Sequence, residues 1–280
     1  MLSHDIIIIE SLPERIVNGV INKAINYALL SVAFTTKKIN LLSLHRKIEN
    51  ITKGQIAELM FQHFMIQNNL RVNYSSCQTP FYLPSKRDFL MDEYEWDIKN
   101  SFVRTNQDLS PKDIVELPAL IPNRPSSPFF TDHWEKRNEM KHKTSCGARF
   151  VFTFMDRPKE MDFIKIKIRA HHLLFFETIK SQFPYQRGEK PPFTESWFWN
   201  ELSKIDFPEY ELNQELKLYI TAWAGKDHFK YFFNTEQKNF EERIYTKIRN
   251  KTIKIHRLPS FVSLFPKLKK NMKCGKLFEL

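Results

Sequence analysis

The stretch RDFLMDEYEWDIKNS, residues 87–101, carries the strongest structural signal in this chain. Apolar and polar residues alternate in its second half, which is typical of a β-strand with one buried face. Asp97 and Lys99 therefore share one face of the strand, while the tryptophan and isoleucine on either side of Asp97 point into the core. Asp88 lies one short hairpin away. Two carboxylates beside an ammonium group predict a divalent-cation site for phosphodiester hydrolysis.

Simpler interpretations exist for the same residues. Asp97 and Lys99 also fit a surface ion pair on a half-exposed sheet. Asp88 also fits a turn residue at the end of a strand, in which case Asp92 would be the metal ligand. Asp92 precedes Asp97 by only five residues, however, and this leaves little chain for a hairpin. We therefore expect Asp88 to be the ligand.

The segments around this hairpin predict a helix, three strands, a helix and a strand. Thr52-Lys53-Gly54 is expected to precede the first helix, and two further helices are expected at the N-terminus. Beyond the core, a strand at 216–223 is expected to pair with residues 228–233 across a turn. In chain order, the predicted elements up to residue 155 are helices 12–34, 40–48 and 55–69, strands 70–74, 81–90 and 94–98, helix 131–142 and strand 149–155.

This order of elements, with the Asp…Asp-x-Lys hairpin and an acid on the preceding helix, resembles the PD-(D/E)xK nuclease superfamily. The resemblance implies that Asp88 is the family's first aspartate, although Arg87 stands where the name-giving proline would be. It further implies that Asp97 and Lys99 occupy the (D/E) and lysine positions. Glu58 matches the additional acid that many members use to orient the metal or its water.

The resemblance also implies the metal and the fold. Mg²⁺ would be held by Asp88, Asp97 and Glu58, and the backbone carbonyl of Ile98 would complete the set of ligands. The implied fold class is α/β, with a restriction-endonuclease-like αβββαβ core and a mixed central sheet. The core would span residues 51–156, an N-terminal helical addition would span 1–50, and an α+β extension for DNA recognition or dimerisation would span 157–280.

Charge is concentrated at the C-terminal end of the chain. The net charge of the 280 residues is +11, and eleven Lys and Arg residues lie between Arg243 and Leu280 against Glu279 alone. Such a concentration indicates a polyanionic partner, most simply nucleic acid, and the alternative is a solvated tail. Other candidate contacts to DNA are Asn100 and Ser101, which otherwise begin a loop, and the polar-helix residues Arg137, Lys141 and Lys143.

Composition limits the remaining possibilities. Three widely spaced cysteines suit a reducing cytoplasm and argue against a disulfide framework, and no segment is apolar enough to suggest a membrane span. We therefore expect a cytoplasmic, Mg²⁺-dependent type II restriction endonuclease, a homodimer that cuts double-stranded DNA at a short sequence. The alternatives are a repair, recombination or RNA endonuclease of the same fold, and a non-catalytic basic protein that binds nucleic acid.

Overall fold

The computed structural model describes residues 5–10, 12–35, 41–77, 87–105, 109–123, 149–158, 162–182, 196–234 and 250–265. These residues form an α/β protein with a mixed, curled central sheet, so the predicted fold class is confirmed at this level. The helices are α1 (Glu14–Thr35), α2 (Leu41–Gln67), α3 (Pro111–Glu116), α4 (Ala170–Gln182) and α5 (Ser196–Ser203). The strands are β1 (Ile7–Ile9), β2 (Phe89–Met91), β3 (Tyr94–Thr105), β4 (Pro118–Pro122), β5 (Arg149–Pro158), β6 (Ile164–Lys167), β7 (Glu209–Leu212), β8 (Leu218–Ala224), β9 (Phe233–Asn234) and β10 (Asn250–Lys254).

The central sheet has five strands in the order β1-β8-β5-β3-β2. Strands β3 and β5 run parallel in a ten-residue register from Trp96–Arg149 to Thr105–Pro158, and the other neighbours are antiparallel. Two smaller antiparallel sheets have the orders β4-β10-β9 and β6-β7. Strand β2 forms one edge of the central sheet, so the hairpin that carries the candidate site lies at that edge.

Apolar side chains cover both faces of the central sheet. Alternation along β3 sends Trp96 and Ile98 to the face on which α1 and α2 pack, where both are buried as predicted. The opposite face holds the buried phenylalanines of β5, which pack against apolar residues of β4 and β10. Because Asp97 and Lys99 alternate with Trp96 and Ile98, they lie on this second face.

Helix α2 is a single element of 27 residues, so the prediction that Thr52-Lys53-Gly54 precedes a new helix is wrong. The helix continues because tertiary contacts hold this part of it: Thr52 and Lys53 are buried, and Lys53 Nζ lies 2.9 Å from Asp162 Oδ1. The helix ends where Asn69 takes a left-handed conformation (φ 53°) and Leu70 N–H donates to Met65 C=O at 3.0 Å, a Schellman-type cap.

No helix among the described residues has the length and hydropathy needed to cross a bilayer.

Several predicted elements are shorter or lie elsewhere. The strand expected at 70–74 is an isolated bridge between Asn73 and Leu90, and the strand expected at 81–90 is seen as β2, since residues 78–86 are outside the described part. The polar helix expected at 131–142 and the candidate DNA contacts Arg137, Lys141 and Lys143 also lie outside the described residues. The complete αβββαβ core therefore stays a prediction.

The two ends of the chain contribute to the central sheet. Strand β1 comes from residues 1–50, and β8, between β1 and β5, comes from residues 157–280. The expected pairing of 216–223 with 228–233 is wrong, because both edges of β8 are taken by β1 and β5. Residues 229–231 instead form a 3₁₀ turn that leads into β9 of the second sheet. The division into 1–50, 51–156 and 157–280 stays a prediction.

Candidate active site

A two-residue turn sets the geometry of the β2–β3 hairpin. Asp92 and Glu93 have φ values of 50° and 64°, the combination of a type I′ turn, whose twist matches that of the flanking strands. The register pairs Phe89 with Trp96 and Met91 with Tyr94. Strand β3 continues to Thr105 whereas β2 begins at Phe89, so the edge of β3 past Trp96 has no β2 residue opposite it.

Asp88 lies beside this part of β3. Its N–H donates to the Trp96 carbonyl at 2.8 Å, and its Oδ2 accepts a hydrogen bond from the Ile98 N–H at 2.6 Å. The carboxylate is therefore fixed beside the backbone of β3, immediately next to the peptide groups of Ile98. Asp92, the alternative ligand, lies exposed in the hairpin turn at the other end of β2.

Asp97 and Lys99 form a close ion pair on the second face of the sheet. Lys99 Nζ lies 2.5 Å from Asp97 Oδ1, and the side chains are only 9% and 11% exposed, respectively. Lys99 Nζ also lies 5.5 Å from the centroid of the Phe150 ring. The pair is thus nearly buried, which differs from the surface pair that a half-exposed sheet would give.

The electrostatics show that Glu58 lies near the same edge. Burial raises the pKa of the Asp88 carboxyl well above its usual range, and the negative charges of Glu58 and then Asp97 raise it further. Lys99 and the Ile98 N–H act in the opposite direction. Glu58 projects from α2, where its Oε2 accepts a hydrogen bond from Gln55 Nε2 at 2.6 Å. We call Glu58, Asp88, Asp97 and Lys99 the acidic notch.

Two tyrosines that sequence reasoning missed adjoin the acidic notch. Burial raises the pKa of Tyr27, on α1, to about 12, with Glu58 and then Asp88 contributing. The pKa of Tyr74 is likewise raised, by burial and then by Asp88. The Tyr74 hydroxyl is buried and has no hydrogen-bond partner among the described residues. No local pattern could have found either residue, because the packing of α1 against α2 and the Asn73–Leu90 bridge bring them here.

The other predicted residues are distributed as follows. Asn100 lies on the helix-covered face, where its Oδ1 accepts a hydrogen bond from Thr153 Oγ1 at 3.0 Å. Ser101 alternates onto the face of Asp97 and Lys99 and is half-buried. Arg87, at the position of the family's proline, forms an ion pair with Glu95. The four predicted catalytic residues therefore lie around this part of β3, while their roles and the DNA-contact predictions stay untested.

The donor set can be compared with what Mg²⁺ requires. Among the described residues, no three His, Cys, Asp or Glu side chains are close enough to one another to form a ready-made metal site. Mg²⁺, however, is usually held by one or two carboxylates together with water and substrate oxygens. The carboxylates of Asp88 and Asp97, whose mutual repulsion a cation would relieve, fit this requirement.

Comparisons with protein-family models, with curated proteins and with solved structures found no match for this chain.

Proposed function

We propose that this protein is a Mg²⁺-dependent endonuclease that hydrolyses phosphodiester bonds of double-stranded DNA. The observation that carries the proposal is the position of Asp88 beside β3, where it is hydrogen-bonded to the Ile98 N–H and lies within electrostatic reach of Glu58 and of the nearly buried Asp97–Lys99 pair. Carboxylates of like charge repel one another inside a protein. A divalent cation relieves this repulsion, so the same carboxylates would bind the cation and, through it, a phosphate. The basic C-terminal segment supplies positive charge for a polyanionic substrate.

Each residue of the acidic notch has a role in this reaction. Asp88 and Asp97 would hold Mg²⁺, which when bound lowers the pKa of water and neutralises charge on the phosphate. The attacking water loses a proton to solvent as its oxygen bonds to phosphorus, the bond from phosphorus to the leaving sugar oxygen breaks, and that oxygen takes up a proton from solvent. Lys99 donates to a phosphate oxygen where negative charge grows. Glu58 positions the water, and Asp88 stays next to the Ile98 peptide through its 2.6 Å hydrogen bond.

The arrangement of elements supports the restriction-endonuclease type over other hydrolases. A helix that carries an acid, a hairpin with the Asp…Asp-x-Lys residues, and a following strand parallel to β3 occur in the order expected for that fold. We further propose a short recognition sequence and a homodimer, because a two-fold symmetric enzyme cuts both strands of a symmetric site. The recognition sequence itself stays open.

Cleavage assays with matched variants test the proposal. Purified protein is incubated with plasmid and phage DNA, with and without Mg²⁺, beside Asp97→Asn and Lys99→Met, which keep side-chain size. Glu209→Gln is the control, since Glu209 also pairs with a strand lysine but lies exposed on β7. Discrete Mg²⁺-dependent fragments from the wild type and the control are expected, with losses of about a hundredfold or more in the two notch variants.

Other outcomes separate the competing functions. If no duplex is cut and all four proteins bind DNA equally, the acidic notch is structural and the protein is a basic binding module. Cleavage of RNA, or of branched DNA only, would keep the chemistry of the acidic notch and replace the substrate.

A further inference from the structure

Two aromatic side chains lie exposed on the segment that enters β9. Tyr231 and Phe233 are 59% and 58% exposed, although most phenylalanines of the described residues are buried. Lys230 precedes them and is also exposed. We call Lys230, Tyr231 and Phe233 the aromatic platform.

The aromatic platform is held in place by rings that point inward. Phe229 packs edge-on against Phe150 with centroids 5.7 Å apart, and Phe232 packs against Phe152 at 6.2 Å. Phe150 is the ring beneath the ammonium group of Lys99. The aromatic platform is therefore linked to the acidic notch through two ring contacts, from Lys99 to Phe150 and from Phe150 to Phe229.

The charges around the aromatic platform favour an anionic polymer. Lys230 Nζ lies 5.0 Å from the centroid of the Tyr231 ring, so a cation and an exposed π-face are presented together. Lys226 is exposed on the preceding turn. Asp227 is the single acid among residues 226–234. Aromatic faces interleaved with lysines are the chemistry that single-stranded nucleic acid recognises.

We propose that the aromatic platform binds unpaired bases of a nucleic-acid strand, which stack on Tyr231 and Phe233 while Lys230 contacts the adjoining phosphate. The inference rests on the proposed function, because it assigns the platform to the strand next to the cleaved bond. An intact duplex offers a stacking face only at an end or an unstacked step, so the surface selects frayed, flipped or single-stranded nucleotides.

The binding test is made without cleavage. In the Asp97→Asn protein without divalent metal, fluorescence anisotropy measures the affinity for a labelled oligothymidylate. Tyr231→Ala and Phe233→Ala are each expected to weaken binding about tenfold, and Tyr231→Phe, which keeps the ring, is expected to retain it. Trp199→Ala removes an exposed aromatic ring on α5 and should leave the affinity within about twofold. Lys230→Ala should lower the salt dependence of binding by roughly one phosphate contact.

Each contrary result has a definite meaning. Unchanged affinity in both alanine variants, or no binding of the oligonucleotide by the parent protein, overturns the inference. Alanine variants that change only the oligomeric state in light scattering, or only the affinity for phosphatidylserine vesicles, also overturn it, because the surface then belongs to a second copy or to a membrane. A ring-dependent loss of affinity in a protein whose wild type never cleaves would reject the nuclease and leave the aromatic platform standing.

Discussion

Two acid–base pairs on strands of this protein differ mainly in burial. Asp97 and Lys99 on β3 are almost fully buried, whereas Lys167 on β6 and Glu209 on β7 are 57% and 53% exposed with their atoms 3.3 Å apart. Arg169 also pairs with Glu209. Exposed ion pairs such as those of Glu209 form wherever opposite charges meet on a sheet surface, and each contributes little to the free energy of folding. In a buried ion pair, the attraction between the two charges must offset the free energy lost when both ions are removed from water.

The difference in burial is what the proposed function would require of the two pairs. Lys99 pairs with Asp97, while burial and then the negative charges of Glu58 and Asp97 raise the pKa of the neighbouring Asp88 carboxyl. A protein selected only for stability would do as well with apolar residues at the same edge. Under the proposed function, the acidic notch is kept at a cost in stability, whereas the exposed pair at Glu209 carries no such cost.

The largest expected effect on stability follows from breaking the buried pair. Asp97→Ala removes the carboxylate that pairs with the nearly buried Lys99 ammonium group, so we expect the free energy of unfolding to fall by about 3 kcal/mol. Glu209→Ala should produce no measurable change, because both of its partners stay solvated. Urea denaturation of the two variants makes the comparison. Equal losses would show that the burial of Asp97 and Lys99 has no energetic consequence.

Replacing Asp88 should separate stability from activity. The raised pKa of its carboxyl means that the ionised form is disfavoured in the folded protein, so stability declines as the pH rises above about 4 through the folded-state pKa. Asp88→Asn removes this decline, and we expect a more stable protein at pH 7 without metal, together with loss of cleavage. Denaturation at pH 4.5 and pH 7 tests the prediction. A variant less stable at pH 7 than the wild type would contradict it.

A substitution in the β2–β3 turn, away from the acidic notch, should have a smaller effect on stability. Glu93 holds a left-handed φ of 64°, which costs a residue with a Cβ about 1 kcal/mol relative to glycine. Glu93→Gly completes the preferred Asp-Gly sequence of a type I′ turn, so stability should rise by roughly that amount while cleavage stays unchanged. Thermal unfolding and the plasmid assay check both parts. Lost cleavage would mean that the turn itself belongs to the site.

Adjacent histidines repeat the contrast between buried and exposed groups on a small scale. His172 is buried, its Nδ1 accepts from the Arg169 N–H at 3.0 Å, and its Nε2 donates to the Asp206 carbonyl at 2.6 Å. Burial lowers the pKa of His172, so its neutral form stabilises the fold and this contribution is lost as the pH falls below about 6.5. The adjacent His171 is exposed. Urea denaturation at pH 7.5 and pH 5.5 should show a smaller loss of stability in His172→Asn than in the wild type.

The local sequence pattern was sufficient to predict the β2–β3 hairpin and the positions of the residues on it. Alternation around Trp96 and Ile98 fixed which side chains of β3 are buried, and the spacing of Asp88 and Asp97 required a short turn between them. Glu58 was reached through the family resemblance, and the fold brings it near Asp88. These features depend on neighbours within one or two elements, where periodicity is informative.

Features that depend on distant partners could not be predicted in this way. The run of isoleucines at 6–9 gave no sign that β1 pairs with β8 more than two hundred residues later. Ala224-Gly225-Lys226-Asp227 is a good turn sequence, but β1 and β5 already occupy both edges of β8, so no hairpin forms across it. Gly54 suggested a break, yet the Lys53–Asp162 pair holds that part of α2 in place.

Calorimetric titration with Mg²⁺ tests the central claim most directly. The wild type, Asp88→Asn and the exposed-pair control Glu209→Gln are titrated at pH 7 in the absence of DNA. Binding by the wild type and the control, with its loss in Asp88→Asn, is the result that a metal-binding acidic notch predicts. Equal binding by all three proteins, or binding by none, would contradict it.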